Sequence, residues 1–469
     1  MKVALVHYHL LKGGVTTVLR RQVRGLLDSG DEVLVLSGEA EKSHFEGAPL
    51  VLLELLRYDE RREDRHSPPE ALAQALLDAV EGHFGGPADI IHIHNPLILK
   101  NSLFLPALAL IQASGARVFL QNHDFAEDWR PDVLVRGVDY PANCHYGVIN
   151  SRDGLFLSAA GLEPGAVHLL PNPVLAPEHL PPSSRTRFVY PVRAIRRKNI
   201  GEVLLLSLYL PKDARCAITL PPTSDRDMPY YQFWRESAKR LGLPVEFDLG
   251  LELSFEQVLA SACAIITSSV KEGFGFSFLE PWIAGRAVIG RRIDYVCRDF
   301  ESASLSFPDL YDGLQIPISL FDAGALRHKY VKAVQDIWGL YGRTGAAEAV
   351  ETMESALFDK PTLDFARLDE ASQARVLERL CEDEGLKNSL ARLNPGLLAL
   401  SFWKEDEALI EANREMVKEH WSIEAAIGIL KEAWRAAIDR PCVQKLDRER
   451  LLEHFLDPRN LFLVGTGYD

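Results

Sequence analysis

The sequence predicts an α/β protein of two Rossmann-like domains, each a parallel sheet wrapped by helices. Three observations carry this. Short apolar runs alternate with helical patterns over most of the chain, as in parallel sheets layered with helices. The alternation breaks at a proline-rich segment, Pro171 to Pro182, with Ser183-Ser184 after it, and then restarts. And at 469 residues the chain exceeds what one hydrophobic core organises.

The elements follow in order. Strands are expected at Val3–His7, Glu32–Leu36, Ile90–His94, Val118–Gln121, Tyr146–Asn150 and Val167–Leu169. Between them Val15–Asp28 and Pro69–Gly82 place apolar residues at helical spacing. Beyond the linker come Arg187–Val192, Ala217–Leu220, Val245–Leu249, Ala264–Thr267 and Ala287–Ile289, with a helix through Phe278–Ala284. From about residue 320 to 440 the chain reads as consecutive helices, with Gln373, Arg375 and Leu377 on one amphipathic helix that serves either a dimer surface or internal packing. The expected division is 1–177, then 178–420 with a helical insertion at about 320–400, then 421–469 as helices crossing back to the first domain.

Composition excludes several function classes. With 47% hydrophobic and 25% charged residues the chain is that of a soluble globular protein, and no run approaches the roughly 20 apolar residues of a membrane span. Met1-Lys2-Val3-Ala4-Leu5-Val6-His7 has too short an apolar stretch for a signal peptide, so a cytoplasmic location is expected. The 52 basic against 66 acidic residues leave a charge of −14, which opposes nucleic-acid and anionic-membrane binding. Cys144, Cys216, Cys263, Cys297, Cys381 and Cys442 are dispersed, fitting reduced core thiols rather than a metal site or a disulfide framework.

Four segments could carry chemistry. Lys12-Gly13-Gly14-Val15-Thr16-Thr17 follows the first strand and opens a helix, whose free N–H groups attract phosphate; a plain tight turn reads equally well. Arg193-Ala194-Ile195-Arg196-Arg197-Lys198-Asn199 puts four cations at a strand end, either a phosphate clamp or a solvated charge run. In Glu272-Gly273-Phe274-Gly275-Phe276-Ser277-Phe278-Leu279-Glu280 seven residues separate two carboxylates. The glycines there let backbone N–H groups approach a ligand, and a carboxylate is a bidentate acceptor for a ribose diol. His123, before Asp124 at a strand end, either polarises a substrate hydroxyl or caps the strand. His92 and His94 share a strand face but make no convincing metal site, and Asp225-Arg226-Asp227 reads as a loop.

Together these segments resemble the retaining glycosyltransferases of family 4, which have the GT-B fold of two facing Rossmann-like domains with a central cleft. The likeness runs from Met1 to about Ile289 and returns at Val417-Lys418-Glu419-His420-Trp421-Ser422. It rests on the E-x7-E pair, on Arg193 and Lys198 five apart after a strand, and on Asp89–His94, Tyr146–Ser151 and Leu170–Val174.

The resemblance implies a hexosyltransferase that uses a nucleoside-diphosphate sugar, of UDP or GDP type, and neither a cofactor nor a metal. Arg193 and Lys198 would neutralise the leaving diphosphate, Glu280 would bind the ribose, and Glu272 with the backbone of Gly273, Phe274, Gly275, Phe276 and Ser277 would hold the sugar. Gly13 and Gly14 would face the diphosphate, and His123 would contact the sugar near the reacting carbon. Lys12, Asn95 and Asn172 are candidates for the acceptor side. The acceptor is expected to be soluble and small; Lys12, Lys100 and Arg130 would favour an anionic one. The chain departs from the family at Val192 and Asn199, where glycines are usual, and at Gly290-Arg291-Arg292-Ile293-Asp294-Tyr295, where Arg292 offers a phosphate contact. A homo-oligomer is left open. So are a retaining glycoside phosphorylase, which would have no use for Glu280, and a non-catalytic nucleotide-sugar-binding protein.

Overall fold

The computed structural model describes residues 1–41, 44–177 and 179–466. The expected domain start at residue 178 and the last three residues of the tail lie outside them. Two compact units result, residues 1–174 with 419–456 and residues 175–418 with 457–469.

The first unit opens with β1 (Lys2–His7), α1 (Gly14–Asp28), β2 (Glu32–Ser37), β3 (His44–Phe45) and β4 (Ala48–Leu52). Then follow α2 (Pro69–Phe84), β5 (Ile90–His94), α3 (Phe104–Ala113), β6 (Val118–Asn122), β7 (His145–Val148), α4 (Ser151–Ala159) and β8 (Val167–Leu169). The sheet runs in the order β3-β4-β2-β1-β5-β6-β7-β8, parallel except for the β3–β4 pair. Alternation along β1 sorts the core: Val3 and Leu5 pack with Leu19, Val23 and Leu26 of α1, whereas Ala4 and Val6 pack with Leu72 and Leu76 of α2. Both faces are covered, so the strands read as continuous apolar runs. The short β3 and β4 escaped the sequence reading. The expected strand to Asn150 stops at Val148, because Asn150 instead caps α4 by accepting from the Asp153 amide.

The second unit contains β9 (Arg187–Arg193), α5 (Ile200–Ser207), β10 (Arg215–Leu220), α6 (Met228–Arg240), β11 (Val245–Glu246), α7 (Leu249–Glu252) and α8 (Phe255–Ala260). It continues through β12 (Ala262–Thr267), α9 (Glu280–Ile283), β13 (Ala287–Arg291), α10 (Asp294–Ser302) and β14 (Leu310–Tyr311). The sheet order is β11-β10-β9-β12-β13-β14, all parallel. Leu249, expected in a strand, starts a helix. The helix expected from Phe278 begins only at Glu280, after a 3-10 turn over Phe276–Phe278.

The region beyond is not purely helical. β15 (Gln315–Pro317) pairs antiparallel with β16 (Thr362–Asp364), with α11 (Ala323–Leu340) and α12 (Ala346–Phe358) between them. Next come α13 (Glu370–Glu382), α14 (Glu384–Leu393) and α15 (Pro395–Leu400). On α13, Gln373 and Leu377 are buried and Arg375 is exposed, so this helix packs inward with the first two.

The chain then passes along α16 (Glu407–Trp421) into α17 (Ile423–Asp439) and α18 (Arg448–Phe455) of the first unit, and ends with α19 (Leu463–Thr466) in the second. α17 sits so close to α1 that a Cβ on Gly25 would come within 2.6 Å of Ile423 and Ile427. Among the described residues no helix is long and apolar enough to cross a membrane. Four cysteines are buried, but Cys381, expected in a core, is exposed.

Candidate active site

In each sheet the strand order reverses once beside the first strand of its unit, and the loops leaving the carboxyl ends at such a point form a natural binding position. In the second unit that point lies between β9 and β12. The loop after β9 holds Arg193 to Asn199; the loop after β12 holds Ser268 to Gly275. The two are laced together. The Val270 amide donates to the Arg197 carbonyl at 3.0 Å, and the Ser268 hydroxyl donates to the carbonyls of Lys198 and Asn199 at 2.8 and 3.2 Å.

Glu272 is the electrostatic centre of this half-site. Its carboxylate pairs with Lys198, and Arg197 approaches it at 3.3 Å. Burial would raise the pKa of this carboxyl, but the Lys198 and Arg197 charges outweigh it and hold the value down at about 2. Glu272 is therefore an ionised hydrogen-bond acceptor at neutral pH. The Arg197 guanidinium also donates to the Lys271 carbonyl at 3.0 Å, and the Tyr295 hydroxyl donates to the Glu272 carbonyl. Tyr295 and the individual role of Arg197 were not found in the sequence, since nothing in their spacing marks them.

The cations of the run have separated fates. Arg196 pairs with Glu370 at 2.6 Å and lies over the Tyr230 ring. Lys198 and Arg197 face Glu272. Arg193, half-exposed at the end of β9, makes no ion pair or side-chain hydrogen bond among the described residues. The run is thus divided, with Arg196 braced by α13, Lys198 and Arg197 turned to Glu272, and Arg193 at the strand end. Asp227 of the Asp-Arg-Asp triplet accepts from the Arg196 amide at 3.3 Å, so this aspartate braces the loop. Arg292 engages Glu301 with both guanidinium ends, and Arg291 is buried against Glu202 and Asp364.

Asn199 takes the place of the usual glycine. It sits at φ +49°, in the left-handed region that asparagine tolerates best after glycine. Its side chain donates to Glu202 at 2.8 Å and accepts from Gln373 Nε2 at 2.9 Å. Gln373 also donates to the Phe365 carbonyl at 3.1 Å. Together with Glu370, α13 thus buttresses the turn bearing the cations.

Within the glycine-rich loop the residues divide. Gly275 has φ +92°, and a Cβ there would come within 2.6 Å of Val296. Phe274 is buried, its ring edge-on to Phe276 at 5.0 Å and to Phe300 at 5.8 Å. The Phe274 side chain thus belongs to the core, so in this loop it is the backbone, as the resemblance implies, that is left to meet a ligand. Ser277 lies in the 3-10 turn, half-buried, with Glu280 opening α9.

In the first unit the reversal lies between β1 and β5. Gly13 and Gly14 begin α1, whose first turn carries no acidic side chain and no side-chain cap. Gly13 has an extended φ of −178°, and a Cβ on Gly14 would meet nothing within 4 Å. Neither glycine is demanded by the local fold. Lys12 is exposed beside them.

His123 is buried and stacks on His94, its Nε2 3.0 Å from His94 Nδ1. Burial lowers its pKa to about 4, so the imidazole is neutral at pH 7. Asn95, taken as an acceptor ligand, is corrected: its Oδ1 accepts from the amides of His123 and Asp124 at 2.8 and 3.0 Å, and its Nδ2 donates to Asp124. At φ +58° it is a brace for the His123 loop. Asn172 is buried, and its Oδ1 has no hydrogen-bond partner among the described residues.

Comparison with known proteins places these features. Residues 13–173 match the model of the Glycosyl transferase 4-like domain. Mannosylglucosyl-3-phosphoglycerate synthase of Petrotoga mobilis is 25% identical over 434 residues, covering 83% of each chain. Among solved structures, Anabaena HepE in complex with UDP and glucose superposes with a TM-score of 0.53 at 11% identity, over 93% of this chain and 100% of that one. The catalytic domain of Arabidopsis thaliana starch synthase IV, bound to ADP and acarbose, gives 0.53 at 14% identity, over 93% and 99%.

Proposed function

Because the chain is a glycosyltransferase with the GT-B fold and a family-4-type first domain, we propose that it moves a sugar from a nucleoside-diphosphate sugar to a small, soluble acceptor, with retention of configuration and without a metal ion. The observation that carries this reading is the pair of laced loops after β9 and β12. They gather Arg197 and Lys198 around one ionised carboxylate and leave the Arg193 guanidinium uncommitted.

Departure of a nucleoside diphosphate develops negative charge on its phosphate oxygens. Arg193, Arg197 and Lys198 answer that charge in place of a metal, and the N-terminus of α1 at Gly13 and Gly14 adds unfilled N–H donors. Glu280 takes the ribose diol, while Glu272 and the backbone of Gly273–Ser277 take hydroxyls of the transferred sugar. The neutral His123 serves as a hydrogen-bond partner for the sugar near the reacting carbon. Glu272 is committed to Lys198 and Arg197, which disfavours it as a covalent nucleophile. Attack by the acceptor hydroxyl from the face the diphosphate leaves, with its proton passing to the departing phosphate, then gives retention. The UDP and ADP held by HepE and starch synthase IV support a nucleoside diphosphate as leaving group. The phosphoglycerate in the name of the Petrotoga relative supports an acceptor with an anionic group, with Lys12 and Asn172 on the acceptor side.

The test is thermal unfolding of the full chain with UDP, GDP, ADP and inorganic phosphate, each in EDTA at matched ionic strength. A ligand at about 100 times its Kd stabilises by about 2.7 kcal/mol, which is readily resolved. One diphosphate should shift the midpoint, and Arg193→Ala and Glu280→Ala should abolish the shift. A shift with phosphate alone would overturn the transferase reading in favour of a phosphorylase.

A further inference from the structure

The first unit holds a cluster of cations that the donor chemistry does not use. Three loops, after β4, β5 and β6, are tied into one platform. The Asp59 amide donates to the Lys100 carbonyl at 2.8 Å, Asn101 Nδ2 to the carbonyls of Leu55 and Arg57 at 2.7 and 2.6 Å, and the Leu99 amide to the Val133 carbonyl at 2.8 Å.

Tyr58 stands at the centre of this platform. Lys100 Nζ lies 5.4 Å from its ring centroid and the Arg61 guanidinium carbon 6.0 Å, while its hydroxyl is 3.1 Å from His9 Nε2. Burial raises the Tyr58 pKa; the fields of Arg61 and Arg130 act against that rise, while Asp124 and Glu60 add to it.

The charges are incompletely answered from within. Arg61 meets Glu39 at 3.2 Å and Arg130 meets Asp124 at 3.4 Å, but among the described residues Lys100 has no ion pair. Next in the loop, the Arg62 side chain is only 5% exposed and pairs with Asp59 at 3.2 Å. Among the described residues its Nε and Nη1 have no hydrogen-bond partner. Buried donors left unpaired are rare in folded proteins and mark places where a further group completes the site.

The cluster is also joined to the reaction centre. Ring contacts run from Tyr58 to His9 at 5.2 Å, His9 to His7 at 5.4 Å, His7 to His94 at 6.4 Å and His94 to His123 at 5.3 Å. Burial lowers the pKa of every histidine in this row, His7 to about 3 and His123 to about 4, so the positive field belongs to Arg61, Lys100 and Arg130.

We propose that Tyr58, Lys100, Arg61 and Arg130 form a subsite for an oxyanion of the acceptor, a phosphate monoester or a carboxylate, with the acceptor's reacting hydroxyl directed toward His123. This rests on the reading of the chain as a transferase with an anionic acceptor. Guanidinium, ammonium and phenol together supply forked, point-charge and neutral donors to one group of oxygens.

The experiment titrates the full chain with 3-phosphoglycerate, glycerate and inorganic phosphate, separately from the nucleotides, at fixed ionic strength. Saturable binding of 3-phosphoglycerate is expected. Lys100→Ala should weaken it about tenfold or more, and Lys100→Arg should restore most of it. The nucleotide-induced shift should be the same in wild type and Lys100→Ala. Retention by phosphate but not glycerate assigns the subsite to a phosphate ester, and the reverse to a carboxylate. The proposal is overturned if Lys100→Ala and Arg61→Gln bind 3-phosphoglycerate as wild type does, or if a wild type that binds nucleotide takes none of the three anions. If the anions bind with Lys100 dependence while no nucleotide binds, the donor reading fails and the subsite stands.

Discussion

Replacing Glu272 by glutamine removes one charge and almost no volume, so it isolates the electrostatic core of the second unit. The native carboxyl is held at about 2 against an ordinary value of 4.5. At 1.36 kcal/mol per pKa unit, that difference corresponds to about 3 kcal/mol of stability at pH 7. The loss expected on breaking a buried ion pair, about 3–5 kcal/mol, agrees. The sign follows from the depressed native value: the stabilisation is complete above about pH 4.5 and is lost as pH falls toward 2. By pH 4 the unfolded chain has taken up enough protons to remove about 0.8 kcal/mol. Denaturant titrations of wild type and Glu272→Gln at pH 7 and pH 4 measure both quantities, and the gap between the two proteins should narrow at the lower pH. Freed of Glu272, Lys198 and Arg197 should bind a nucleoside diphosphate at least as tightly as before, while sugar transfer falls. A cost below about 1 kcal/mol, or a gap that does not change with pH, would refute the reasoning.

Further outcomes follow from other parts of the structure. Gln373→Leu leaves the Asn199 side-chain oxygen without a donor and the Phe365 carbonyl with only the Leu368 amide, and should cost about 1–3 kcal/mol by calorimetry while raising KM for the donor. Gly14→Ala should leave stability unchanged or raise it by up to about 1 kcal/mol, since a Cβ meets nothing, yet weaken nucleotide binding measured by titration. His7, His92 and His123 are driven by burial to about 3, 3 and 4, so the folded state keeps them neutral while the unfolded chain protonates near 6.5. Their contribution is intact above pH 6.5 and lost as pH falls toward 4; an unfolding midpoint that stays flat from pH 6.5 to 5 would contradict it.

The paired sheets, the linker and the two-glutamate loop were legible because each rests on a local pattern: apolar runs, prolines, and glycines beside carboxylates. What was not legible depends on partners distant in the chain. The spacing of Arg193 and Lys198 suggested a pair of phosphate ligands, but Lys198 is paired with Glu272, 74 residues beyond it. Glycines on both sides of Phe274 pointed to backbone N–H groups near a ligand, and only the packing of Phe300 shows the ring between them to be core. Asn95 looked like a ligand because it is polar at a strand end; its role as a brace depends on amides 28 and 29 residues away. β16 has three residues, too few for any periodic signal. The glycine pair of α1 went the other way, since its backbone shows that local geometry does not require glycine.

The buttress of α13 against the cation-bearing turn ties two kinds of motion together. Segments that share buried hydrogen bonds open to solvent as one cooperative unit. Gln373 to Asn199 and Glu370 to Arg196 are such links, so the amides of residues 196–201 are protected to the extent that 370–382 stays folded. The insertion thereby sets how long the cation-bearing turn persists between openings. Adjusting helix stability in α13, far along the chain from the glycine loop, becomes a means of tuning the lifetime of that turn without touching Arg193, Arg197 or Lys198.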